Sequence, residues 1–149
     1  MKQSIFNGSP FSVHPVATAE YELPTGFIEN GVNAGFPSAA EDFLEEGINL
    51  NDHLIRDKET TFIVRVNGSS MKGAGIHNKD LMVVDRSLRP TDGCIAVCII
   101  DNEFVVKRLK VTPNGILLLP ENPTFSPIPV SEYADFEVWG VVTYSIQKH

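Results

Sequence analysis

From residue 60 onward the chain carries short runs in which Val, Ile, Phe, Leu and Thr recur at alternate positions. A period of two over four to eight residues marks a strand with one face buried. Six strands are predicted on this pattern, at 61–66, 81–85, 94–100, 103–109, 115–119 and 136–146. Asp101-Asn102 reads as a tight hairpin between two of them, and Thr112-Pro113-Asn114-Gly115 as a second turn. Short strands at this spacing imply a mostly β fold, a compact barrel or sandwich with one short helix packed at an edge. That helix is expected just after Pro37: Ser38 and Glu41 have capping-box spacing, 39–46 are mostly good helix formers, and Gly47 can terminate the turn. A weaker helical turn is read around 50–55.

Residues 1–34 have a different texture. Pro10, Pro15 and Pro24 alternate with Gly8, Gly26 and Gly31, and neither the helical nor the strand period is sustained. They are expected to form an extended arm, too short and too interrupted by proline for a helix-turn-helix. Residues 35–149 are expected to form the single domain, since 149 residues with 42% hydrophobic content support one core and not two ordinary ones.

Composition narrows the function classes. The formal net charge is −7, with one cation and three anions in 1–34 and eleven cations and sixteen anions beyond. Neither part has a basic footprint, so direct sequence-specific DNA binding is not expected. No window approaches the ~18 apolar residues of a membrane span, and the N-terminus lacks a signal-peptide core, which predicts a cytoplasmic protein. Cys94 and Cys98 fall on one face of a predicted strand, roughly 13 Å apart, too far to bridge. They are expected to be reduced, buried, small hydrophobes. No His, Cys, Asp and Glu set has metal-ligand spacing and no glycine-rich phosphate loop is present, so no cofactor or metal is expected.

The candidate chemistry lies at Ser70, in Asn67-Gly68-Ser69-Ser70-Met71, and at Lys107, in the fourth strand. A serine hydroxyl needs a base to become a nucleophile, and a neutral lysine amine is one solution. Burial supplies neutrality, because desolvation disfavours the ammonium. Strand alternation puts Val105, Lys107, Leu109 and Val111 on one face and Arg108 and Lys110 on the other, so Lys107 is a cation among apolar neighbours. The competing reading is an edge lysine that snorkels to water beside a structural serine turn. The backbone amides of Ser69 and Ser70 are candidate oxyanion donors. Local chemistry does not separate Ser69 from Ser70 as nucleophile. A triad of Ser70, His77 and Asp80 or Asp85 is the histidine-based alternative; His14, His53 and His149 sit in the arm, in polar surroundings and at the chain end.

With Ala34-Gly35-Phe36-Pro37-Ser38, Asn49-Leu50-Asn51, Gly68-Ser69-Ser70-Met71, Asp80-Leu81, Val84-Asp85, Val106-Lys107, Ser126-Pro127-Ile128 and Gly140-Val141-Val142 in this order, the chain resembles the LexA/UmuD-type self-cleaving serine peptidases from residue 34 to residue 142. The resemblance implies Ser70 as nucleophile, because the family nucleophile precedes Met, and Lys107 as base. It implies a cut between Ala34 and Gly35, with Ala34 where the family pattern has Cys. It further implies cleavage stimulated by RecA filaments on single-stranded DNA in the SOS response. The product would be a shortened homodimer that joins a UmuC-type translesion polymerase. Two other readings remain open at this point: the core of a LexA-type transcriptional repressor, and an interaction module without catalysis.

Overall fold

The computed structural model describes residues 13–16, 34–35 and 47–149. Eight strands occur among them: β1 (Val13–Pro15), β2 (Thr61–Arg65), β3 (Leu81–Asp85), β4 (Ile95–Ile100), β5 (Glu103–Thr112), β6 (Gly115–Leu119), β7 (Ile128–Pro129) and β8 (Phe136–Ile146). They form one sheet in the order β1-β2-β3-β8-β4-β5-β6-β7, antiparallel at every pairing. The mostly β expectation holds, and all six predicted strands are present. β5 runs to Thr112, beyond the predicted end, because 108–112 gain a second partner in β6. β1 and β7 were not predicted. Each is only two or three residues long and contains a proline, so neither has a periodicity of its own, and each exists by pairing with a neighbour.

The turns follow their sequences. Asp101 and Asn102 take φ of +48° and +66°, the left-handed pair that lets a two-residue loop match the twist of β4 and β5. Pro113 holds a negative φ in the β5–β6 turn, and Gly115 supplies the positive one at +133°. The weak helical turn is real: α1 (Leu50–Leu54) is capped by Asn49, whose Oδ1 accepts from the amides of Asn51 at 3.0 Å and Asp52 at 3.5 Å. The helix expected at 38–46 lies outside the described residues.

Two apolar cores lie on opposite faces of the sheet, and β4 feeds both. Val97 joins Val64, Met82, Val84, Val106 and Trp139 on one side, while Ala96 and Cys98 join Leu109 and Leu118 on the other. Phe62 of β2 and Phe104 of β5 pack on Trp139 of β8 with ring centroids 5.3 and 5.9 Å away, so the sheet curves around that indole. Register shifts against β3 and β4 skip Thr143 and Trp139 respectively, marking bulges in β8 that permit such curvature. Both cysteines are free; Cys98 is buried, whereas Cys94 is only half-buried. Burial, reinforced by Cys94, pushes the Cys98 thiol up to about 12, which keeps it inert.

The centre of the sheet is tightest at Gly140, where an added Cβ would lie 2.5 Å from Cγ1 of the fully buried Val84. Gly140→Ala is therefore expected to lower stability by about 1–3 kcal/mol through overpacking. Urea unfolding followed by the fluorescence of Trp139, the chain's single tryptophan, measures the loss.

Candidate active site

Lys107 sits in β5 opposite Ala96 of β4 in the sheet register. Ala96 is fully buried and Lys107 itself is only 8% exposed. The three neighbouring cations on this strand are sorted by their surroundings. Arg108 forms an ion pair with Glu121 and donates from Nη1 to the Gly93 carbonyl at 2.7 Å. Lys110 is half-exposed and lies 3.4 Å from Asp92. Lys107 has no carboxylate partner among the described residues, and burial holds its pKa below the ordinary lysine range. The expected apolar face is realised at Val105 and Leu109 but ends at Val111, which is 57% exposed because the strand there has run past the core.

Ser70 arrives from outside the sheet, on the turn between β2 and β3. Its Oγ is 2.7 Å from Lys107 Nζ. With a neutral amine, the hydroxyl can donate to the nitrogen lone pair, the geometry needed for proton removal. Ser69 is exposed and makes no such contact, so the structure brings Lys107 to Ser70 and not to its neighbour. An open cleft of about 160 Å³ faces the pair, lined by Val66, Gly68, Met71 and Val105 among others. The centroid of the Phe125 ring lies 5.9 Å from Lys107 Nζ.

The turn is anchored by a segment that sequence reading did not single out. The Glu121 amide donates to the Ser70 carbonyl at 2.7 Å, and the Gly73 amide donates to the Glu121 carbonyl at 2.7 Å. A Cβ on Gly73 would sit 2.5 Å from that carbonyl oxygen, which accounts for glycine there. Asn122, 7% exposed, donates from Nδ2 to the Ser69 carbonyl at 2.9 Å. At the other end of the turn Gly68, at φ +103°, donates its amide to Asn78 Oδ1 at 2.8 Å. The amides of Ser69 and Ser70 donate to no described residue.

For the histidine alternative, no hydrogen bond joins His77 to Ser70 among the described residues. Asp80 accepts from the His77 amide at 2.8 Å, and its carboxylate is 3.6 Å from His77 Nδ1. Asp85 is engaged by Ser87 and Thr60, and the described partner of Ser70 Oγ is Lys107. Ala34 and Gly35 lie in an exposed bend, and no described atom comes within 4 Å of a Cβ placed on Gly35. Among the described residues no group of three or more His, Cys, Asp or Glu could hold a metal ion, and no helix is long and apolar enough to cross a membrane.

The Peptidase S24-like pattern matches residues 27–143. The chain belongs to the Peptidase S24-like family. Protein MucA of Salmonella typhimurium is 38% identical over 150 residues, spanning all of this chain and 97% of that protein. Protein SamA of the same species is 46% identical over 115 residues, 77% of this chain and 79% of SamA. The LexA repressor of Xylella fastidiosa is 39% identical over 110 residues, 74% of this chain and 52% of the repressor. Within the S24-like family the chain is a UmuD-type, LexA-like peptidase, in general terms a self-cleaving serine peptidase. Its mostly β sheet is consistent with that membership.

Burial of Lys107 has a pH signature. The folded state releases this proton below the ordinary lysine value of 10.5, whereas the unfolded chain holds it to that value. Between the lowered value and 10.5 the unfolded state binds more protons, so stability rises with pH in that window. Lys107→Met keeps the stem and removes the titration. It is expected to be more stable than the native chain at neutral pH, by on the order of 1 kcal/mol, with the gap narrowing as pH rises. Urea unfolding at several pH values between neutral and 10 tests this.

Proposed function

We propose that the protein cuts its own Ala34–Gly35 bond, with Ser70 as nucleophile and Lys107 as general base. The observation that carries the reading is the 2.7 Å contact between Ser70 Oγ and the nitrogen of a buried lysine that has no described carboxylate partner. Neutral Lys107 takes the Ser70 proton as Oγ adds to the Ala34 carbonyl, and the Ser69 and Ser70 amides receive the oxyanion. The tetrahedral species collapses by breaking the C–N bond, and Lys107 returns the proton to the Gly35 nitrogen. Water then hydrolyses the ester at Ala34, releasing residues 1–34 as the arm and 35–149 as the processed domain.

The exposed position of Ala34 and Gly35 means that the bond has to be carried into the cleft before reaction. A requirement of this kind suits control by a signal, and on the UmuD-type reading the signal is a RecA filament on single-stranded DNA in the SOS response. The processed form acts, on the same reading, as a homodimer and accessory subunit of a UmuC-type translesion polymerase in the cytoplasm. Correspondence with MucA over 97% of that protein, against 52% of the LexA repressor, favours this over a repressor core. DNA would be reached through partners, in keeping with a net charge of −7.

Ser70→Ala and Lys107→Ala are each expected to leave intact full-length protein under conditions where the native chain yields a new N-terminus at Gly35, read by mass spectrometry. Normal processing in either variant would remove the assignment. Cleavage without any activator should accelerate as pH rises and level off once Lys107 is neutral, since its pKa is lowered by desolvation. Processing also has a structural readout, because β1 belongs to the released segment and covers the β2 edge at 62–64. Hydrogen exchange at the β2 amides that face β1 is expected to quicken after cleavage, and unchanged protection would show that the arm stays docked.

A further inference from the structure

We infer that Asn122 is a positioning residue for self-cleavage: by holding the Ser69 carbonyl it fixes the peptide plane that aims the Ser70 amide at the oxyanion. The inference rests on the Ser70–Lys107 reading above.

The argument starts from peptide planarity. All peptide bonds among the described residues are trans, so the Ser69 C=O and the Ser70 N–H belong to one plane and point in opposite directions. Asn122 Nδ2 donates to that carbonyl at 2.9 Å, and the Lys72 amide adds a longer contact at 3.3 Å. The oxygen is thereby committed to Asn122 and Lys72, and the Ser70 backbone N–H is left on the opposite side of the plane, donating to no described residue, in a residue that lines the cleft. A flip of this plane would rotate ψ of Ser69 and φ of Ser70 and break the Asn122 bond. It would also turn a carbonyl oxygen toward the developing negative charge in place of a donor, converting stabilisation into repulsion.

Asn122 is itself held so that the amide group cannot rotate without loss. Its Oδ1 accepts from the Thr124 amide at 3.1 Å and from Thr124 Oγ1 at 2.9 Å. That leaves the NH2 as the only end able to face Ser69. The residue is 7% exposed, so water is a poor substitute for the bond. The next peptide plane is fixed in the same way, through the Glu121 amide on the Ser70 carbonyl. Asn122 touches neither Lys107 nor Ser70 Oγ in any hydrogen bond, so its influence should appear in oxyanion stabilisation and not in proton removal.

Asn122→Asp separates these roles. It retains an oxygen for Thr124 and replaces the donating NH2 by an acceptor that repels the Ser69 carbonyl. In the full-length chain, the plateau rate of self-cleavage at alkaline pH is expected to fall by ten- to a thousandfold, with the midpoint of the pH–rate curve unchanged. A Gly-Val-Asn peptide ending in an alanine boronic acid provides a second readout. Its boron accepts Ser70 Oγ, the hydroxyl proton passes to Lys107, and the tetrahedral boronate places an oxygen at the oxyanion position. Inhibition of self-cleavage by this probe is expected to weaken by at least tenfold in the variant. A folded Asn122→Asp protein that cleaves at the native rate overturns the proposal. So does one whose pH midpoint shifts while the plateau stays, since Asn122 would then act on Lys107. If the variant does not unfold cooperatively, the native chain decides. Binding of the boronate should move the Ser70 amide proton strongly downfield in the NMR spectrum while the Asn122 side-chain amide stays in place. An unaffected Ser70 amide overturns the proposal. Continued cleavage by Ser70→Ala, run in parallel, would overturn the parent reading instead.

Discussion

A primary amine kept largely out of water, with no carboxylate partner among the described residues, is the constraint around which this protein is arranged. Such a group is tolerated only where the surrounding structure leaves no alternative, because an ammonium in an apolar site is far more costly than an amine. β5 meets that requirement by position. It lies inside the sheet, paired with β4 along 103–108 and with β6 along 108–112, so Lys107 stands near the changeover between two partners. β4 beside it is buried on both faces and offers only the methyl of Ala96 at the facing position. The lysine head is thus confined to the cleft, where Ser70 Oγ meets it.

The second requirement is that the serine be fixed although it belongs to no strand. The Glu121 amide and the Asn122 side chain hold the turn at two successive peptide planes, and a third bond ties Gly73 to Glu121. The bond proposed for cleavage is held in no comparable way, since Ala34 and Gly35 are exposed. The structure therefore divides the proposed reaction unevenly: the base and nucleophile are preassembled, and the substrate segment is not. An enzyme acting on its own chain benefits from that division, because a preassembled substrate would react as soon as the domain folded.

Much of this was legible in the sequence, and the limits have physical causes. Period-two runs gave six strands because each buries at least one face. β1 and β7 stayed hidden because a two- or three-residue strand containing proline is specified by its partner's edge. Alternation singled out Lys107 from Arg108 and Lys110, but burial and the missing acid partner are properties of the folded neighbourhood. Local chemistry does not separate Ser69 from Ser70; the family resemblance pointed to Ser70, and in the structure it is Ser70 that Lys107 of β5 reaches. Glu121 and Asn122 carried no signal in the sequence, since their bonds to the Ser70 turn span some fifty residues and local pattern holds no trace of them.

The contacts also explain how two side chains from distant parts of the chain keep a 2.7 Å separation. Lys107 is covalently followed by Arg108, Arg108 is paired through its side chain with Glu121, and the Glu121 amide holds the Ser70 carbonyl. Ser70 Oγ then returns to Lys107. These links form a closed ring in which a part-buried ion pair on one side of β5 helps position the buried Ser70–Lys107 contact on the other. An ion pair of this exposure contributes little to global stability, yet it restrains the one segment that fixes the proposed nucleophile. Its value lies in geometry: neighbouring cations on one strand are used differently, Arg108 to hold Glu121 and Lys107 to meet Ser70 Oγ.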